Sequence, residues 1–118
     1  MTLAVAGVLL ALGITAGAVG THALRARLTP DQLELFETGV RYHLYNALGL
    51  LGIGAVRLSH DSPLLRLSGL AIVTGIVLFS GSLYLAAFGV LRPILLPPLG
   101  GLMLIAGWLL FAVAIWRR

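Results

Sequence analysis

Between its charged residues the chain reads as long apolar runs. Thr2 to Leu24 is 23 residues without a charge, Leu67 to Leu91 is 25, and Pro93 to Trp116 is 24. A bilayer core about 30 Å thick is crossed by roughly 20 helical residues at 1.5 Å each, so all three can span. In the last run Pro97 and Pro98 lack the N–H that a helix interior needs and suit a helix start. That helix is therefore expected to begin at Pro97, which leaves 20 residues to Trp116.

The run from Tyr42 to Val56 has only 15 uncharged residues, too short to cross unaided. Its helix must begin earlier. Thr29-Pro30-Asp31-Gln32 supplies an N-cap Thr, Pro at the first helical position, an acid in the first turn and Gln three residues after the cap. Leu33, Phe36, Val40 and Leu44 follow at helical spacing, with Glu34, Glu37 and Arg41 on another face. One helix is expected from Pro30 to about Val56, its first turns an interfacial amphipathic segment. The pattern thus predicts an all-α fold in one domain, residues 1–118. The expected architecture is a four-span transmembrane bundle, antiparallel, with spans at about 2–24, 40–57, 67–90 and 97–116.

Composition supports a membrane solvent. Hydrophobic residues make up 59% and charged residues 10%, against about 25% charged in soluble domains. The absence of cysteine excludes a disulfide scaffold. Ala18-Val19-Gly20 resembles a signal-peptide cleavage site, but no Lys or Arg precedes it and the apolar run outlasts a signal segment, so the first run is read as a span. Glycines 13, 17 and 20, and 49, 52 and 54, give small-residue faces, including Gly13-x-x-x-Gly17. These suit close packing within the bundle, or a homodimer seam as the alternative.

Antiparallel spans would gather the polar residues at one membrane side. Thr21 and His22 close the first helix; Arg41, Tyr42, His43, Tyr45 and Asn46 open the second; Ser80, Ser82 and Tyr84 lie late in the third. With Glu37, the expected i, i+4 partner of Arg41, they form a candidate polar pocket. Shared depth argues for the pocket because polar groups are expensive in lipid; the competing role is interfacial anchoring. Thr74 and Trp108 are the nearest polar groups in the otherwise aliphatic half. Arginines divide four against four, with Arg57, Arg66, Arg117 and Arg118 opposite Arg25, Arg27, Arg41 and Arg92. Placing Arg41 inside its helix tips the count toward cytoplasmic termini. The net charge of +4 suits anionic headgroups, and nothing suggests nucleic acid.

Candidate chemistry is sparse. His22 and His43 end and begin adjacent helices, but no H-E-x-x-H or Glu-x-x-His spacing accompanies them and no thiol completes a zinc set. No metal or other cofactor is expected. His60, beside Asp61-Ser62-Pro63, reads as solvated loop. Thr21, Ser80 and Ser82 would need an activating base and an orienting acid to act as nucleophiles; the acids on that side are Asp31, Glu34 and Glu37, and Glu37, the best placed to pair with His22 or His43, is expected to pair with Arg41 instead. Gly100-Gly101 sits just inside a span, where helix packing accounts for it better than phosphate binding.

The stretches Gly17-Ala18-Val19-Gly20-Thr21-His22-Ala23-Leu24, Glu37-Thr38-Gly39-Val40-Arg41-Tyr42-His43-Leu44-Tyr45-Asn46-Ala47-Leu48, Phe79-Ser80-Gly81-Ser82-Leu83-Tyr84 and Pro98-Leu99-Gly100-Gly101 with Gly107-Trp108 carry a family resemblance. The chain closely resembles the small membrane proteins of domain-of-unknown-function family 423, related to transmembrane protein 256 of animals, from about Ala11 to Trp108. The resemblance implies a four-span bundle in a bacterial-type cytoplasmic (inner) membrane with both termini cytoplasmic, and no established activity. The family pattern often has His where this chain has Asn46 and Thr where it has Pro97, and the first departure removes an axial ligand from any bis-histidine haem site. The layout also resembles the small multidrug-resistance exporters, but those carry an acid in the first span and this chain has none there.

The expectation is a non-enzymatic membrane-integrity or complex-accessory protein in contact with membrane lipids, as a homo-oligomer or within a larger complex. The alternative is an oligomeric protein permeable to small solutes or ions.

Overall fold

The computed structural model describes residues 1–118, which form four helices and no strand. We number them α1 (Thr2–Leu24), α2 (Pro30–Ser59), α3 (Pro63–Ala87) and α4 (Leu96–Trp116). The start of α2 is set by its capping box. The Gln32 N–H donates to Thr29 Oγ1 at 3.2 Å, and the Thr29 N–H donates to Gln32 Oε1 at 3.0 Å, so two end donors are satisfied reciprocally.

Helix α3 starts before the charge-free run because Ser62 caps it. Its Oγ accepts the Leu65 N–H at 3.2 Å, and Pro63 takes the first position, where no N–H is needed. The same helix stops at Ala87 through Gly89, whose φ of 76° continues the chain in the left-handed region. The Gly89 N–H donates to the Ala86 carbonyl and the Val90 N–H to the Leu85 carbonyl, the paired bonds of a Schellman ending.

Two clusters form the interior. Ala6, Ala47, Leu50, Ile53, Ile72, Ile76 and Leu104 make the larger one; Leu24, Phe36, Val40 and Ala87 make the smaller. Glycines let the backbones approach. Gly54 faces Leu3, Gly13 faces Leu44 and His43, and Gly20 faces Phe36, so α1 lies along α2. Gly75 meets Leu104 and Gly107 meets Ile72, which seats α4 on α3. The Gly13-x-x-x-Gly17 face is therefore used inside the bundle, since Gly17 in turn meets Val40.

Three helices, α1, α3 and α4, are long and apolar enough to cross a membrane. In α1 and α4 the most apolar stretches are only 17% and 22% buried. Val8, Leu12 and Ile14 on α1, and Leu102, Ile105 and Leu109 on α4, point outward. Apolar faces of that extent are a liability in water and matched to hydrocarbon. The molecule extends 49 Å along its longest axis, consistent with the roughly 45 Å expected of the 30-residue α2.

Candidate functional site

Within α3, Val77–Gly81 form a π turn, and glycines stand on both sides of it. A Cβ on Gly100 of α4 would collide with the backbone at Leu78 and Phe79. On the opposite side a Cβ on Gly39 of α2 would lie 2.8 Å from the Tyr84 ring and 3.3 Å from the Ser80 carbonyl. Ser80, 1% exposed, donates its hydroxyl to the Gly39 carbonyl at 2.7 Å. The wide turn and the two glycines together let α3 pass between α2 and α4 with a direct hydrogen bond on one side.

His43, buried on α2, joins three helices. Its Nε2 is 2.8 Å from the Leu9 carbonyl of α1, and its Nδ1 is 2.8 Å from the Tyr84 hydroxyl of α3. A carbonyl only accepts, so Nε2 carries the proton; in the neutral imidazole Nδ1 then accepts from the Tyr84 O–H. Phe36 packs on Tyr84 with ring centroids 5.1 Å apart. Both ring nitrogens of this histidine are thus engaged in joining helices.

One turn further along α2, the Asn46 amide accepts the Trp108 indole N–H at Oδ1, 2.8 Å away on α4, and donates from Nδ2 to the Tyr42 carbonyl at 2.8 Å. The Trp108 ring stands over Gly49, where a Cβ would collide with it. Beside this pair a lateral crevice of about 640 Å³ opens between α2 and α4, walled by Tyr42, Tyr45, Phe79, Leu104 and Trp108. Tyr42 lies edge-on to Phe79 at 4.9 Å between centroids. The walls are aromatic and aliphatic, and the Asn46 side-chain oxygen and nitrogen both have partners, so the crevice suits an apolar guest.

The remaining candidate residues lie elsewhere. Thr21 and His22 are exposed, because Gly20 is the residue of that turn that faces Phe36; the Thr21 hydroxyl donates to the Gly17 carbonyl of its own helix at 3.0 Å. Ser82 is buried and donates to Phe79 O at 2.8 Å within α3. Arg41 does not pair with Glu37. It reaches back 3.3 Å to Glu34, with the Thr38 hydroxyl accepting from the same nitrogen at 3.0 Å. Two turns separate Arg41 from Glu34, and Thr38 between them bridges the two, its hydroxyl donating to Glu34 Oε1 at 3.4 Å. The Arg41 and Glu34 side chains are 47% and 66% exposed, so the pair is solvated or at headgroup level and not shielded in a pocket.

Residue types alone do not single out Leu9, whose carbonyl is the acceptor for His43, or Ser68, which donates to the Gly107 carbonyl at 2.8 Å. Trp108 had a signal, being a polar group in an aliphatic half-span. At the opposite end of the molecule from the π turn, Asp61 accepts from Arg57 Nε at 2.8 Å and from Arg66 Nε at 2.9 Å. These two hydrogen bonds hold its carboxyl down at about 2. Arg57 also donates to Thr2 Oγ1 on α1. His60, expected as solvated loop, is half-buried and ends α2, its N–H donating to the Val56 carbonyl.

Apolar outer faces combined with polar groups turned inward to other helices define an integral membrane protein. The chain belongs to the family described as Protein of unknown function (DUF423), which it matches over residues 16–101. It is 38% identical over 109 residues to the UPF0382 membrane protein YwdK of Bacillus subtilis, covering 90% of this chain and 86% of that one. A UPF0382 membrane protein of Staphylococcus haemolyticus is 34% identical, with 90% and 87% covered. The UPF0382 inner membrane protein YgdD of Escherichia coli is 32% identical, with 88% and 80% covered. No solved structure matches the chain.

Proposed function

We propose that the protein is a non-enzymatic, antiparallel four-span component of a bacterial-type inner membrane that supports membrane integrity or acts as an accessory to a membrane complex. The observation that carries this reading is where the buried polar side chains are spent. His43, Asn46, Ser68 and Ser80 each bond to another helix. Such bonds serve helix association in lipid, and the lateral crevice at Tyr45 and Trp108 offers an apolar neighbour a seat without opening the bundle.

In this reading α2 crosses from about residue 40 onward, with its first turns in the interfacial zone, and both termini are cytoplasmic. The Arg41–Glu34 pair supports removing Arg41 from the loop count, leaving Arg57, Arg66, Arg117 and Arg118 against Arg25, Arg27 and Arg92. Asp61 does not cancel the inward bias, since acids contribute little to it. Reporter fusions after Arg118 and single-cysteine labelling at Ser62 should report the same, cytoplasmic, side. For the role, a photo-crosslinker at Tyr45 and purification in mild detergent should capture a defined membrane partner. Solute flux through vesicles holding only the pure protein, with no partner captured, would overturn the accessory role in favour of permeation.

A further inference from the structure

At the Arg57 end, a second crevice of about 270 Å³ lies between α1, α2 and α3. Arg57 and Arg66 line it at the helix ends, and its accessible apolar wall is made of Val5, Leu70 and Val73. Arg57 lies in the last turn of α2 and Arg66 in the first turn of α3, so both guanidiniums sit where these helices leave the apolar zone. On the four-span reading proposed above, on which this inference rests, that is headgroup depth. Asp61 sits between them and balances one of the two positive charges. A guanidinium has five N–H donors; Arg57 commits two, to Asp61 and Thr2, and Arg66 directs two nitrogens to Asp61. Positive charge and free donors therefore remain at the mouth of an apolar slot.

We propose that this crevice binds one anionic glycerophospholipid, its phosphate at Arg57 and Arg66 and the upper part of one acyl chain against Val5, Leu70 and Val73. Basic pockets between spans at the membrane surface suit such headgroups. A soluble phosphate has no use for the apolar wall. A zwitterionic lipid brings an amine toward a mouth that already has a surplus positive charge. A second copy of the chain would bring the same cationic mouth and be repelled. The volume falls just under the ~300–1,000 Å³ of small-molecule sites, which fits part of one chain with the rest of the lipid in the bilayer.

The test is lipid retention by the purified full chain in nonionic detergent, counted by native mass spectrometry with equal dioleoyl phosphatidylglycerol and dioleoyl phosphatidylcholine. The parent should retain phosphatidylglycerol preferentially. Arg66→Gln should lower that preference by about fivefold, the worth of one arginine near a membrane surface. Asp61→Asn, which removes the competing carboxylate, should raise it. Val73→Phe, which fills the slot and keeps every charge, should reduce retention of the bound lipid. Helical circular dichroism checks that each variant is folded, and Arg66, with a side chain 63% exposed, is chosen over Arg57 for that reason. Equal retention of the two lipids by the parent, or an unchanged preference in both charge variants, overturns the site. Displacement of the lipid by equimolar inorganic phosphate assigns a free-anion site instead and overturns the lipid. Full retention in Val73→Phe reduces the feature to a surface charge patch and overturns the acyl-chain slot.

Discussion

Asn46 on α2 holds the indole N–H of Trp108 on α4 at 2.8 Å, across 62 residues of sequence. Both residues line the lateral crevice, and the bond fixes one of the rings that wall it. Both partners are needed for a practical reason: an indole N–H in hydrocarbon finds no water, and Asn46 offers an acceptor whose other end is already tied to the Tyr42 carbonyl.

Asn46→Ala should therefore leave the Trp108 N–H unpaired. The expected loss is about 1 to 2 kcal/mol, the range of an unmet buried donor and of strong interhelical bonds in membranes. Asn46→His keeps an acceptor at the position and should lose less. Thermal midpoints in detergent, with Trp108 emission read in a Trp116→Phe background as a reporter of ring mobility, distinguish the two; equal melting of the parent and Asn46→Ala would show that the bond contributes nothing.

Tyr84→Phe should be harmful for a similar reason, since it removes the donor to His43 Nδ1 and leaves that nitrogen facing apolar neighbours. His43 itself would remain tied to Leu9. The loss is expected near 1 kcal/mol, while His43→Ala, which cuts both links and leaves a void, should exceed 2 kcal/mol. A smaller effect for His43→Ala than for Tyr84→Phe would contradict the three-helix junction.

Glycines supply the sharpest steric contrast. Gly100→Ala drives a methyl into the α3 backbone, which cannot yield as a side-chain end can, and should cost at least about 1 to 3 kcal/mol. Gly52→Ala has nothing within 4 Å and should be neutral or slightly stabilising. Comparing the two by denaturant or thermal unfolding controls for the substitution itself.

Much of this was legible in the sequence because membrane helices announce themselves by run length, and because Thr29 to Gln32 is a local signal read without tertiary context. The roles of individual polar residues were less legible. Helical phase around Gly20 turns Thr21 and His22 outward, which depth alone does not reveal. One of the two partners of His43 is a carbonyl on Leu9, a group every residue carries, so no residue type points to it. The π turn at Val77–Gly81 shifts phase by about one residue, and no proline or charge marks it. Gly39 and Gly100 are its visible traces, but only the packed structure shows that they flank the same turn.

Arg41→Ala tests a feature that helical spacing suggests and the structure revises. With Glu34 and Arg41 both largely exposed, the pair should contribute about 0 to 1 kcal/mol and the variant should melt close to the parent. Glu37→Gln should be similarly mild. A loss of several kcal/mol in Arg41→Ala, recovered by a second substitution at Glu34, would instead indicate a shielded pair.

Asp61 gives the chain its clearest dependence on pH. Arg57 and Arg66 hold its carboxyl at about 2 in the folded protein, below the ordinary aspartate value of about 4. A depressed folded value means that the unfolded chain takes up the proton first as pH falls. The stabilisation from Asp61 is therefore complete above about pH 4, fades as pH falls between about 4 and 2, and is gone below that. Asp61→Asn should lower the thermal midpoint at pH 7, and the gap to the parent should close on acidification through that window. High salt should narrow the gap at pH 7, because the carboxylate lies at the surface. A gap that stays constant from pH 7 to pH 2 would show that the carboxylate charge is not the source of the loss, since the Ser62 N–H, which donates to Asp61 Oδ1 at 3.0 Å, still finds an amide oxygen in the Asn variant.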